Sequence, residues 1–520
     1  MGDNSRPGMG FEVNIRKSSR QKTTVDTHAD TPFCMVVLGD FVGRDRTSQK
    51  NKPLEQRKPI AIDRDNFDDV LAGFKLSLTI SPIENSGNEI TIDINDLDDF
   101  HPDSLYEKLD VFSKLRGIRR RLKNNHSFDE AAREIMGWLV TDEIPGPGVG
   151  ASEQTKNEAA EAVSASDLLE NVLDSTHQSS NDLESITSPG GIDQLVKEII
   201  APYVEPAANP RQQEMIDAVD QATAGHMRQI LHHPDFQHLE AAWRSIYFLI
   251  SRIDTGRNLK IYLLDATREE IQQDLEFDSG ASALHKRFCE PALNDTSWSL
   301  IVGNYQFEDT IEDALFLAEI GSIAECAQAP FIAGAKATLA GCDSFSMYPD
   351  ADDWCYELKP GVEQAWQILR ENPVAQYVGL ALPRFLLRLP YGKKSRPIDS
   401  FSFEELTSDV RANHEGFLWG NAAFIKAEQL ARAFSEKHWQ MNPGEAAQTN
   451  NLPMYYYDDE GESELMPCAE IYLTEKGGRK ISEAGLISLW SVKNRDTLVS
   501  SDFNSLAADR TMLQGRWVAS

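Results

Sequence analysis

Leu231-His232-His233-Pro234-Asp235-Phe236-Gln237-His238-Leu239-Glu240-Ala241-Ala242-Trp243-Arg244 is the stretch whose reading decides the C-terminal part of this 520-residue chain. Phe236, Leu239, Trp243, Ile246, Tyr247 and Ile250 fall largely three and four residues apart, which places them on one face of a helix that Pro234 opens. The run Lys260-Ile261-Tyr262-Leu263-Leu264-Asp265 then predicts a buried strand. Further strands are expected at Ser299-Leu300-Ile301-Val302 and Tyr377-Val378-Gly379-Leu380-Ala381-Leu382, and helices over 309–328 and 419–436. Three imidazoles within seven residues, His232, His233 and His238, raise the question of a zinc site. Adjacent histidines point in different directions and Pro234 separates them further, so helix-entry and surface roles are the better reading.

Outward from there, the N-terminal part reads as one α/β unit over residues 11–140. Phe33-Cys34-Met35-Val36-Val37-Leu38, closed by Gly39-Asp40, predicts a buried strand. Leu76, Leu78 and Ile80 alternate with polar residues, as do Ile90, Ile92 and Ile94, which predicts a hairpin with one buried face. Leu105, Leu109, Phe112, Leu115, Ile118 and Leu122 draw a single helical stripe. Arg116, Arg119, Arg120 and Arg121 lie toward the end of that helix, where cations suit its dipole and water solvates them. Between 141 and 190 the composition turns Ser-, Glu- and Ala-rich after Ile144-Pro145-Gly146-Pro147-Gly148, which predicts a flexible acidic linker. Within it, Ser164 and Asp167 precede Leu168, Leu169, Val172 and Leu173 on one face, a short helix suited to docking on a partner.

Composition bounds the function. The length calls for several hydrophobic units. A net charge of −31 and a pI near 4.7 set the molecule against nucleic acid and anionic lipid. The sequence shows neither an 18-residue apolar run nor a secretory leader at Met1–Arg20, so a cytoplasmic location and no membrane insertion are expected. Cys34, Cys289, Cys326, Cys342, Cys355 and Cys468 are scattered and read as reduced, small buried residues.

Motifs of catalysis are missing from the sequence. There is no nucleophile elbow, no H-E-x-x-H and no phosphate loop. Gly392-Lys393-Lys394-Ser395 lacks the upstream glycine and preceding strand of such a loop. Asp350, Asp352 and Asp353 are followed by Trp354 and Cys355 where a calcium loop needs ligands and a glycine, so they read as solvated turn residues. Glu404 and Glu405 are neighbours and would not share a site on a helix. Trp243, Trp366 and Trp419 read as core. No catalytic, metal-binding or cofactor-binding residue is assigned, and no enzyme or cofactor is expected.

Two stretches carry a family resemblance. Arg57-Lys58-Pro59-Ile60-Ala61-Ile62-Asp63-Arg64-Asp65-Asn66-Phe67-Asp68, with Phe11-Glu12-Val13-Asn14-Ile15, Val37-Leu38-Gly39-Asp40-Phe41 and Leu97-Asp98-Asp99-Phe100-His101-Pro102, resembles the small sheath subunit of type VI secretion systems (the TssB family). Leu231–Arg244, with Ala327–Ala333, Leu382–Gly392, Phe417–Ala422 and Ser482–Ile487, resembles the large sheath subunit (the TssC family). The two are usually separate polypeptides.

The resemblance implies a mixed α/β (α+β) fold. It comprises a small-subunit-like domain at 1–140, a linker at 141–190, and a large-subunit-like domain at 191–520 that stops short of the family's usual C-terminal extension. The two would pack as an intramolecular subunit pair. It also implies a structural role in the contractile sheath that propels an inner tube and its effectors. The alternative is a non-polymerising adaptor, such as a cap, baseplate connector or assembly regulator. Implied partners are other small and large sheath subunits, the inner tube protein, baseplate proteins and the hexameric ATPase that recycles sheaths. Phe11, Val13 and Ile15 would form an inter-subunit strand. Leu168, Leu169, Val172 and Leu173 would dock the unfoldase or another partner. Phe236, Leu239, Trp243 and Arg244 would form the core helix of the large-subunit part.

Overall fold

The computed structural model of the chain describes residues 31–43, 52–81, 89–140, 210–277, 281–290, 296–406, 413–445, 447–459, 462–500 and 503–517. The proposed inter-subunit strand at Phe11, Val13 and Ile15, the linker at 141–190 and the docking patch at Leu168–Leu173 lie outside these residues. The chain divides into two compact units, Met1–Arg116 with Val219–Ser520, and Gly117–Ala218.

In chain order the described elements begin with β1 (Phe33–Gly39), β2 (Ile60–Ile62), α1 (Phe67–Phe74) and the hairpin β3 (Leu76–Ile80) and β4 (Ile90–Ile94). Then come α2 (Pro102–Lys108), α3 (Ser113–Lys123), α4 (Phe128–Val140), α5 (Pro210–Leu231), α6 (Pro234–Arg252) and β5 (Leu259–Asp265). They are followed by α7 (Arg268–Leu275), α8 (Ala283–Cys289), β6 (Trp298–Phe307), α9 (Ile311–Ala327) and β7 (Phe331–Ala335). The last to bear on the argument are α10 (Pro360–Glu371), β8 (Val378–Leu382), β9 (Phe385–Leu386), β10 (Trp419–Gly420) and α11 (Ala422–Lys437).

A seven-stranded mixed sheet organises the larger unit. Its order is the short strand Ile487–Ser488, then β8, β7, β6, β1, β5 and β2, with β2 alone antiparallel to its neighbour. β1 lies between β5 and β6 and is parallel to both, with Val36 opposite Tyr262 on one side and Ile301 on the other. All seven residues of β1 are buried, which is why it reads as a continuous apolar run rather than an alternation. Phe33, Met35 and Val37 enter one core, and Cys34, Val36 and Leu38 the other. Removing such side chains from water contributes roughly 1.5–3 kcal/mol each for the larger ones. The N-terminal and C-terminal parts are expected to meet as a subunit pair; the meeting takes the form of one sheet with strands from both.

Local chemistry explains the element boundaries. Thr267 caps α7 with Glu270 returning the bond, and Thr310 caps α9 by accepting from the Asp313 amide. The predicted continuous helix over 105–122 is broken: α2 ends at Lys108, Leu109 is extended (φ −81°, ψ 131°), and a 3-10 turn at Asp110–Phe112 leads into α3. Leu105, Leu109 and Phe112 are all buried, so the bend preserves the stripe. The helix predicted over 419–436 starts later, because Trp419–Gly420 is a strand and Asn421 is the N-cap of α11.

The smaller unit holds the end of α3, α4 and the start of α5. Arg121 pairs with Glu134 at 2.5 Å, and the Gln212 amide donates to the Leu122 carbonyl at 2.5 Å. At least two of the four expected solvated arginines therefore have specific partners, since Arg116, in the larger unit, donates to the Tyr106 carbonyl. Among the described residues, no helix is long and apolar enough to cross a membrane.

Candidate functional site

The seam between the N-terminal part (31–116) and the C-terminal part (219–517) carries most of the conspicuous chemistry of the larger unit. It begins with one device used twice. In His101-Pro102-Asp103 and in His233-Pro234-Asp235 the histidine is the N-cap, accepting from the aspartate amide at 3.2 and 3.3 Å, and the proline occupies the first turn. The phenylalanines flanking these starts, Phe100 and Phe236, are fully buried against each other with ring centroids 5.5 Å apart.

Around Trp243 the seam is aromatic. Its indole donates to the Phe41 carbonyl at 3.0 Å, and Phe41, Phe67 and Phe74 surround it edge-on at 5.3–6.0 Å. Phe236, Leu239 and Trp243 are all fully buried on α6. Arg57 grips the C-terminal part from the other direction. Its guanidinium bonds both oxygens of Glu270 at 2.7 and 2.5 Å and the Asp265 carbonyl at 2.9 Å. Arg64 donates to the Ser251 carbonyl at 2.7 Å.

The centre of the seam's C-terminal side is a buried charge cluster. Arg388 bonds Glu240 through Nε (2.8 Å) and Nη2 (3.2 Å), and Glu405 through Nη1 (2.8 Å) and Nη2 (3.0 Å). Arg244 adds a bond to Glu240 Oε1 at 2.7 Å, and the Tyr391 amide adds one to Glu405 at 2.7 Å. His232 Nε2 stands 3.7 Å from Glu405. Glu240 and Glu405 are each at most 1% exposed. Burial alone would raise the Glu405 pKa, but the Arg388 charge, the nearby His232 ring and the hydrogen bonds from Arg388 and the Tyr391 amide outweigh it and hold it at about 2. The Glu240 carboxyl is held low by the same balance of burial against Arg388 and Arg244. Burial likewise opposes the charge of Arg388, and the two carboxylates outweigh it, leaving its pKa well above the usual arginine value.

The N-terminal part reaches this cluster directly. The His101 ring meets the Tyr391 ring edge-on at 4.9 Å, and Tyr391 packs under the Arg388 guanidinium at 4.5 Å. Asp103 accepts from the Asp399 and Ser400 amides at 3.2 and 3.0 Å. Every carboxylate oxygen of Glu240 and Glu405 already has an arginine or amide donor, and the charges of Glu240, Glu405, Arg244 and Arg388 cancel. Such a cluster acts as a lock of defined geometry: desolvation offsets most of its attraction, while a misplaced partner leaves a bare buried charge.

The other residues singled out in the sequence resolve here into structural roles. His233 caps α6, His232 faces Glu405 and His238 is exposed, so the three histidines do not converge. In the Gly392–Ser395 loop, the Lys393 amide donates to Glu404 at 3.1 Å and Ser395 Oγ to the Pro390 carbonyl at 2.6 Å, which occupies the groups a phosphate would need. Asp350 caps a 3-10 turn and Asp352 pairs with Lys476. Trp243, Trp366 and Trp419 are buried. The cysteine expectation needs correction: none of the six is in a disulfide, but Cys289 is half-buried and Cys326 and Cys355 are exposed, the first two in the last turns of their helices and Cys355 in the irregular stretch after the Ala351–Asp353 turn.

The buried role of Glu405 is absent from the sequence reading. Phe401, Phe403 and Glu405 are buried and Ser402 and Glu404 exposed, an extended alternation rather than a helix. Two signals could have found the cluster: that alternation, and the single charge inside Phe385-Leu386-Leu387-Arg388-Leu389. Asn421 is a second omission. It caps α11 through Oδ1 and donates through Nδ2 to the Tyr305 carbonyl at 2.8 Å, where the β6–β7 register shifts between Val302 and Gln306.

Comparison with known proteins adds an independent finding. The family model for VipB, the EvpB tail sheath N-terminal domain, matches residues 213–507, and the type VI secretion system VipA model matches residues 13–141. The chain is similar to the type VI secretion system sheath protein TssC1 of Pseudomonas aeruginosa, 29% identical over 295 residues, covering 55% of this chain and 59% of that protein. It is also similar to the sheath protein TssB1 of the same organism, 31% identical over 166 residues, covering 31% of this chain and 92% of that protein. The chain thus spans about three fifths of the length of the first of these relatives.

Proposed function

This chain belongs to the sheath protein families of type VI secretion systems, a VipA-type region and a VipB-type region in one polypeptide, and on that premise we propose that it serves as a fused sheath subunit. These families are structural and not enzymatic. In this reading the chain works in the cytoplasm as part of a contractile sheath that drives an inner tube and effectors outward. Its partners are further sheath subunits, the tube, the baseplate and the ATPase that recycles contracted sheath.

The observation that carries the reading is β1. A strand of the VipA-type region lies between two strands of the VipB-type region, buried on both faces. Such a strand is part of the fold of its neighbours, so the two regions form one cooperative unit. Covalent linkage then fixes their ratio at one to one and raises the effective concentration of each for the other.

Negative-stain electron microscopy of the purified chain, alone and with separate small and large sheath subunits, tests the proposal. Tubes from the chain alone, or its incorporation along mixed tubes, are expected. Particles bound only at sheath ends would reassign it as a cap or connector, and no association in either sample would remove the sheath role.

A further inference from the structure

Away from the seam, α8 and α9 pack on the opposite face of the sheet, contributing Leu284, Phe288, Leu317 and Ile320 to the second core. His285 and Cys289 stand four residues apart on α8, so their side chains leave the same helix face. Cys326 lies in the last turn of α9. Among the described residues, these three bring one imidazole nitrogen and two Sγ atoms within 4.8 Å of one another.

Tetrahedral zinc, with bonds of about 2.3 Å to sulfur and about 2.0–2.1 Å to nitrogen, separates its ligand atoms by roughly 3.5–3.8 Å. The three donors therefore need to close by at most roughly 1.0–1.3 Å, within reach of side-chain torsion adjustments. Two thiols and one imidazole form a soft to borderline set that suits zinc and disfavours magnesium or calcium. His285 and Cys289 are half-buried while Cys326 is exposed, so an ion can enter from solvent and the fourth position is available to water. We propose that His285, Cys289 and Cys326 form a three-ligand site for a thiophilic divalent cation of the zinc type, clipping α8 to α9. Binding replaces the two thiol protons with metal–sulfur bonds and releases those protons to solvent, with no redox change.

Cobalt(II) is the probe. The full chain, chelator-treated and kept reduced, is titrated with Co2+ alone while its absorption is followed. Thiolate-to-cobalt charge-transfer bands and intense visible bands of tetrahedral cobalt are expected, saturating near one equivalent and bleached by one equivalent of Zn2+. Cys289→Ser and Cys326→Ser should each remove about half of the charge-transfer intensity and weaken Co2+ binding at least tenfold, whereas Cys355→Ser, at an exposed cysteine outside the site, should leave the bands unchanged. Circular dichroism of each variant confirms that the fold is retained. The proposal is overturned if the reduced chain shows no charge-transfer band at several equivalents, or if the bands survive in the folded Cys289→Ser/Cys326→Ser double variant. A Cys289–Cys326 disulfide in chain purified without reductant, together with absent cobalt bands after reduction, would also overturn it and identify a redox pair.

Discussion

The two faces of the shared sheet are furnished differently. On one, Phe33, Met35 and Val37 meet side chains from both parts of the chain, including Phe67, Leu78 and Phe100 from the N-terminal part and Phe236, Trp243 and Phe424 from the C-terminal part. On the other, Cys34, Val36 and Leu38 are met almost wholly by residues 262–507, with Leu54 the exception among the described residues. The first face also carries Trp243 and adjoins the Arg388 cluster. Apolar recognition between the two parts is thus concentrated on one side of the sheet, whereas the other side takes from the N-terminal part β1, Leu54 and the polar grip of Arg57 on Glu270 and Asp265.

The most drastic way to break this contrast is to divide the polypeptide. Residues 1–140 and 191–520, expressed separately, should each fail to give a soluble folded product, and co-expression should return a one-to-one complex on size-exclusion chromatography. A folded 191–520 fragment alone would show that the second face closes without β1.

The next largest effect is expected at the cluster. Arg388→Met leaves Glu240 and Glu405 buried without their shared cation and should cost about 3–5 kcal/mol in urea unfolding, with a large share recovered when both glutamates become leucine and Arg244, the partner of Glu240, becomes methionine as well. The same cluster predicts acid sensitivity. Carboxyls with folded pKa values below the ordinary value near 4.5 stabilise the fold above that value, and the stabilisation is lost as pH falls toward the folded value of about 2 for Glu405. Unfolding midpoints measured from pH 6 down to pH 2 should fall through that window, and the variant with all four charges of the cluster replaced by apolar residues should fall less steeply.

Trp243→Ala and Val36→Ala sharpen the comparison by sampling one face each. The first should cost about 3–5 kcal/mol, since it opens a large cavity and orphans the Phe41 carbonyl, and the second roughly 2 kcal/mol. Equal losses would contradict the unequal furnishing of the faces. The smallest effect, about 1 kcal/mol, is expected for Asp103→Ala, which removes the acceptor of the Asp399 and Ser400 amides.

Much of this was legible locally. The apolar run Phe33–Leu38 closed by Gly39 marked a buried strand, and the spacing from Phe236 to Ile250 marked a buried helix face. The neighbours of β1 could not be read, because its parallel pairing with β5 and β6 joins residues more than two hundred positions apart and leaves no turn signal. The bend at Leu109 was hidden for another reason. It has neither glycine nor proline to announce it, and a helix, an extended residue and a 3-10 turn in succession kept the same side chains inward. The cluster was half visible: Glu240 and Arg244 are spaced as a helical ion pair. Arg388 and Glu405, however, arrive from segments whose burial only the tertiary fold decides. The repeated His-Pro-Asp was in plain view at two places, and its meaning as two helix starts held together through Phe100 and Phe236 needed the structure.

The position of β1 also bears on how the molecule is made. Ribosomes release β1 first and the strands on either side of it much later; at about 5–20 residues per second, the interval between β1 and β5 is roughly 10–40 s. During that time a wholly apolar strand has been synthesised without either of its eventual neighbours. Nascent chains of this protein should therefore depend on chaperone holding until residue 307 has left the exit tunnel.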